Sequence, residues 1–167
     1  MKIQRTHLLK RLDTLYLSYN TSFGNWKNKD HYVNLRGPRG SGKTALILEW
    51  LEQHKHLYFS FAGLDEPMAL RLLGERLKKY LDNHNLTALP MDIWENVFLN
   101  INTLSERTCH IFVFDDADEI LTDSVFSAAF QNYFATQKQR AILMIFVTRA
   151  EKLPEFPPDY TEWTNDE

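Results

Sequence analysis

The sequence contains a single cysteine, Cys109, and no apolar run long enough to cross a bilayer. One thiol excludes an internal disulfide framework and any cysteine-based metal site, and fits a reducing compartment, so cytoplasm is the expected location. The first twenty residues, MKIQRTHLLKRLDTLYLSYN, scatter charges among their leucines and lack the uninterrupted apolar core of an export signal. Excess basic charge is missing as well: 19 Lys and Arg face 22 Asp and Glu, a formal charge of −3. Such a balance advertises no general affinity for nucleic acid or anionic lipid. Repeats and low-complexity segments are absent.

What is present suits one globular domain. Of 167 residues, 44% are hydrophobic and 25% charged, enough to bury a core without splitting the chain in two. Leu8, Leu12, Leu15, Tyr16 and Tyr19 recur at helical spacing and predict an amphipathic helix over 6–19. An Asn- and Lys-rich connector follows, and Tyr32 to Leu35 reads as a short strand. A helix over 45–53, a strand over 56–61 and a helix opening at Asp65-Glu66-Pro67 come next. Leu70, Leu73, Leu77 and Leu81 form one apolar stripe, and Trp94, Val97, Phe98, Ile101 and Leu104 form another, both expected to pack as core. HIFVF at 110–114 and AILMIFVT at 141–148 are continuous apolar runs, the mark of strands buried on both faces. A helix through Val125, Phe126, Ala129, Phe130 and Tyr133 separates them. The last segment, 151–167, is proline-rich and acidic and is expected to be extended or disordered. This alternation predicts an α/β fold with a mostly parallel sheet and helices on both faces, over residues 1–150.

In such sheets the site lies at the carboxyl ends of the strands, so the tips at 37–44, 115–119 and 148–149 should converge. Gly37-Pro38-Arg39-Gly40-Ser41-Gly42-Lys43-Thr44 satisfies G-x-x-x-x-G-K-[ST] between a strand and a helix. Its glycines let backbone amides turn inward around phosphate oxygens, and the following helix presents its partly positive end to the same place. Lys43 would set an ammonium against the β and γ phosphates of ATP, and the Thr44 hydroxyl would ligate a bridging Mg²⁺. Asp115, at the end of a hydrophobic strand, has the position of the carboxylate in that ion's outer shell. Water activation calls for a second acid, and both Asp116 and Glu119 are candidates, the latter slightly favoured for its longer side chain; Asp118 is expected to face solvent. Arg149 ends the strand expected beside that of Asp115, where a cation could touch the γ phosphate and report its presence.

With these parts in order, the chain resembles the STAND branch of P-loop NTPases within the AAA+-like group, most of all the archaeal-type ATPase family. The residues that carry the likeness are Arg5 and Leu8 to Leu12 of the leading helix, GPRGSGKT, YFSF at 58–61, WENVF at 94–98, IFVFDDADEI at 111–120 and IFVTR at 145–149. The resemblance implies a three-layer P-loop NTPase core that binds ATP through 37–44, holds Mg²⁺ through Thr44 and Asp115, and uses Arg149 as an arginine sensor. The leading expectation is an ATP-dependent molecular switch that hydrolyses ATP slowly and couples its state to a protein partner or to self-association. Archaeal-type members carry Asp-Glu where this chain has Asp115-Asp116, while DDADE looks like the NACHT version, whose glutamate corresponds to Glu119. Relatives of this kind continue into a last core strand, a helical lid and often a further domain, none of which is expected within 151–167. A nucleotide-binding module without hydrolysis and a small P-loop kinase are the alternatives, and stacking of the base on Trp26 or Tyr32 of the connector is a further expectation.

Overall fold

A computed structural model describes residues 2–21, 32–37, 40–104, 109–122, 124–136, 142–149 and 160–164. Among these residues five helices and five strands follow one another as α1 (Lys2–Thr21), β1 (Tyr32–Arg36), α2 (Lys43–Leu51), β2 (His56–Ser60), α3 (Glu66–Asn83), α4 (Trp94–Thr103), β3 (His110–Asp115), α5 (Val125–Thr136), β4 (Ile142–Thr148) and β5 (Tyr160–Thr164). The strands form one sheet in the order β2-β3-β4-β1-β5, and every pairing is parallel. All carboxyl ends therefore lie along one edge.

Side-chain alternation sorts the strand residues into two cores. Phe112 and Phe114 of β3, with Met144 and Phe146 of β4, join Leu73 and Leu77 of α3, Phe98 of α4 and Phe126 of α5 on one face. Ile111 and Val113, with Ile145 and Val147, join Leu12 of α1 and Ile47 and Trp50 of α2 on the other. β3 and β4 are buried at every position, which explains their unbroken apolar runs, because a strand covered on both sides has no wet face to mark with polar residues. The two apolar stripes foreseen on α3 and α4 are both core.

The first core is aromatic. Phe126, fully buried, meets Trp94 at 4.9 Å between centroids, Phe98 at 5.5 Å and Phe61 at 5.7 Å, and lies parallel to Phe130 at 6.1 Å. Glu66 ties three helices here: its Oε1 accepts from Trp94 Nε1 at 3.1 Å and from Phe126 N at 2.7 Å. Asp65 caps α3 by accepting from Met68 N at 2.9 Å, with Pro67 in the first turn, as the sequence suggests.

β5 is a correction to the sequence reading. A last core strand was not expected within 151–167, yet Tyr160–Thr164 pairs along the whole of β1. TEWT carries no apolar run because an edge strand needs none.

Candidate nucleotide-binding site

The loop after β1 turns at Gly40 (φ 79°) and Gly42 (φ 86°), both left-handed, a region that admits glycine at no steric cost. Gly42 caps the amino end of α2, so the helix axis begins at the loop. Pro38 and Arg39 lie outside the described residues. Lys43 is buried at 7% exposure and folds back over the loop, its Nζ donating to Gly37 O at 2.5 Å and to Ser41 Oγ at 3.3 Å. Burial lowers the ammonium's pKa; Asp115, Asp118 and Asp116 act against that, and Arg149 adds to it. A cation held partly desolvated in this way gains most from an anionic ligand.

Seventy-one residues on, the tip of β3 meets the loop. Thr44 Oγ1 donates to Asp115 Oδ2 at 2.6 Å. Asp116 adopts φ 51°, a left-handed turn that Asp tolerates, which swings its own N–H back onto Asp115 Oδ1 at 2.7 Å. Sheet hydrogen bonding continues past the strands: Phe61 N donates to Asp115 O at 3.0 Å, Ala117 N to Val147 O at 3.2 Å and Gly37 N to Thr148 O at 3.2 Å. The three tips are thus tied to one another by backbone.

They converge, as expected, on one cavity of about 530 Å³, lined among others by Gly42, Lys43, Thr44, Asp115, Asp116 and Arg149. Two anticipated details turn out differently. Asp118 does not face solvent: its side chain is 18% exposed, accepts from Arg149 N at 2.8 Å and lines the same cavity. Glu119 lies instead on an adjoining cavity of about 430 Å³ and is exposed, so of the two candidate bases only Asp116 borders the loop cavity. Arg149 directly follows β4, which does pair with β3; its guanidinium reaches Asp116 Oδ1 at 3.3 Å and stands 4.0 Å from Asp118 Oδ2. Thr148 turns to the strand beside it and donates to Asn34 Oδ1 at 2.9 Å, a buried polar pair that joins β4 to β1. Trp26 and the Tyr32 side chain lie outside the described residues.

Sequence reasoning missed Tyr58. Its hydroxyl donates to Asp115 Oδ2 at 2.5 Å, the same oxygen that Thr44 reaches, and it lines the loop cavity. Burial, then the hydrogen bond to Asp115, pushes the phenol's pKa well above its ordinary value, so it remains a donor. The available signal was strand parity. Leu57 and Phe59 fill the aromatic core, which sends Tyr58 to the opposite face, the one that carries Val113 and Asp115.

The donor set suits a hard divalent cation. Thr44 and Asp115 offer a hydroxyl and a carboxylate oxygen, and magnesium takes one or two such protein oxygens with phosphates and water completing its octahedron. Among the described residues there is no cluster of three or more His, Cys, Asp or Glu suited to an ion by themselves.

The sheet and these tips define an α/β P-loop NTPase fold. Solved structures agree. The Aeropyrum pernix Orc1 protein in complex with DNA is similar over 88% of this chain and 39% of its own, at TM-score 0.60 and 17% identity. The Walker-type ATPase paby2304 of Pyrococcus abyssi is similar over 77% of this chain and 42% of its own, at TM-score 0.53 and 16% identity. A chain of the Escherichia coli MS115-1 HORMA:CdnC:Trip13 complex is similar over 95% of this chain and 62% of its own, at TM-score 0.58 and 14% identity. The chain thus spans less than two thirds of each. No protein-family model matches the sequence, and no curated protein matches it. Among the described residues no helix is long and apolar enough to cross a membrane.

Proposed function

We propose that the chain binds ATP with Mg²⁺ and acts as a nucleotide-dependent switch of the STAND class, closest in kind to the archaeal-type ATPases, hydrolysing ATP slowly. The observation that carries this reading is the 2.6 Å hydrogen bond between Thr44 and Asp115, which joins the glycine loop to a strand-end acid beside a buried lysine. Backbone amides of the loop and the start of α2 would receive the phosphates, and Lys43 would exchange Gly37 O for a phosphate oxygen. Thr44 and Asp115 would hold magnesium, which neutralises phosphate charge when bound. Asp116 would orient and deprotonate the attacking water. A γ phosphate would compete with Asp116 and Asp118 for the Arg149 guanidinium, and release of that arginine is the step that would carry nucleotide state to the surface. The partner that reads it, whether a protein or a second copy of this chain, belongs to the same proposal.

Titration calorimetry with MgATP, followed by an assay of phosphate release without any acceptor, tests the reading. Binding and release support the switch. Release only when an acceptor is supplied favours the kinase, and no binding by the folded chain rejects all nucleotide readings. One observation favours a module that binds without cleaving: Arg149 is paired with Asp116, the acid that hydrolysis would need. Tight binding with no release at high protein concentration would decide for it.

A further inference from the structure

The carboxylate of Asp115 is held by three donors from three different parts of the chain. Asp116 N occupies Oδ1, while Thr44 Oγ1 and the Tyr58 hydroxyl both occupy Oδ2. Thr44 belongs to the loop and helix α2; Tyr58 belongs to β2, the neighbour of β3 on the side away from the loop. We infer that Tyr58 is a positioning residue for the metal site, fixing the Asp115 carboxylate in the orientation from which, beside Thr44, it would hold the hydration shell of the divalent ion. The inference rests on the magnesium-nucleotide reading above and assigns a residue to it that neither the loop motif nor the acid cluster contains.

The chemistry of the hydroxyls makes the arrangement workable. Thr44 has one proton and two lone pairs, so it can give the proton to Asp115 and still offer a lone pair to a cation. A tyrosine has the same capacity, but its oxygen sits at the end of a rigid ring whose base is packed beside the α2 core, so its direction is set by the fold. A carboxylate gripped on both oxygens cannot swing about its last bond. Without Tyr58, Thr44 alone would hold Oδ2, and Thr44 is on the loop that must adjust to the incoming phosphates. Tyr58 approaches from the sheet and is independent of that adjustment. Parity supports the placement: register pairs Tyr58 with Val113 and Ser60 with Asp115, so the phenol lies one same-face step behind the acid and reaches forward to it.

Tyr58→Phe removes one oxygen and leaves the ring. Circular dichroism should find its thermal midpoint close to that of the parent chain. Calorimetric titration of the full chain with ATP, first in EDTA and then at graded magnesium, should find the metal-free affinity at the parent value and the magnesium concentration for half-maximal tightening raised roughly 10-fold, the usual effect of losing an outer-shell partner. An unchanged magnesium half-point overturns the inference, and so does an equal loss in EDTA and in magnesium, which would mark a general structural role. A parent chain that binds no nucleotide at all would instead overturn the reading beneath, and that failure is visible without the variant.

Discussion

The Arg149 guanidinium stands 3.3 Å from Asp116 Oδ1, at the point where the tip of β4 meets the turn after β3. Both side chains are over a third exposed, so the pair contributes at most about 1 kcal/mol to the fold. Its interest lies in what it occupies. Arg149→Ala should leave the thermal midpoint nearly unchanged while reducing the preference for ATP over ADP, measured as the ratio of their dissociation constants. A preference that survives the substitution would remove Arg149 from γ-phosphate sensing.

Asp116 and Glu119 separate cleanly by variant. Asp116→Asn should lower the rate of phosphate release by roughly 100-fold or more, the usual contribution of a general base, and leave MgATP binding in place. Glu119→Gln, on the neighbouring cavity, should release phosphate at the parent rate. The opposite pattern would return the base to Glu119.

Lys43→Ala should weaken nucleotide binding by roughly 10- to 100-fold, the value of one charge-assisted hydrogen bond, as read by calorimetry. It should leave the chain folded, since the Nζ hydrogen bonds to Gly37 O and Ser41 Oγ lie within one loop.

Phe126→Ala is expected to cost about 3–5 kcal/mol of stability, as the ring is fully buried among five other aromatic rings and leaves a cavity that helices tied at Glu66 cannot easily close. Urea unfolding followed by tryptophan fluorescence checks this, and a loss below about 1 kcal/mol would mean that the core repacks around the gap.

Acid should destabilise the fold through His110. Burial, with the nearby His84 and Lys55 charges adding to it, pushes its pKa down from 6.5 to about 4. The Tyr80 hydroxyl lies 2.8 Å from its Nδ1, and the His84 ring packs at 5.1 Å. Between pH 6.5 and 4 the unfolded chain takes up a proton that the native chain refuses, so stability is present in full above 6.5 and is lost as pH falls toward 4, by about 3 kcal/mol. Denaturation midpoints over that range should follow this slope, and His110→Leu should flatten it.

Much of this was legible because its signals are local or periodic. The glycine loop announces itself by spacing, β3 and β4 by unbroken apolar runs, and α3 by its cap and stripe. Strand-tip convergence followed from parallel topology. Harder to read were features that depend on register and side-chain reach. Tyr58 meets Asp115 across fifty-seven positions, and nothing in YFSF says which neighbour it will have. Asp118 turns inward because the left-handed residue at 116 redirects the chain, and one acid among several gives no hint of that. β5 escaped because an edge strand built on TEWT lacks the apolar pattern by which strands are recognised.

The amino-terminal helix braces α2, the helix that begins at the glycine loop. Asp13 accepts from Trp50 Nε1 at 2.8 Å, and Tyr16 rests on His54 at 4.2 Å between ring centroids, behind the end of α2 opposite the glycine loop. Peeling α1 away would wet Leu46, Ile47 and Trp50 along the back of α2. Separating the two helices would therefore strip the apolar backing from a helix whose other end starts at Gly42, in the glycine loop.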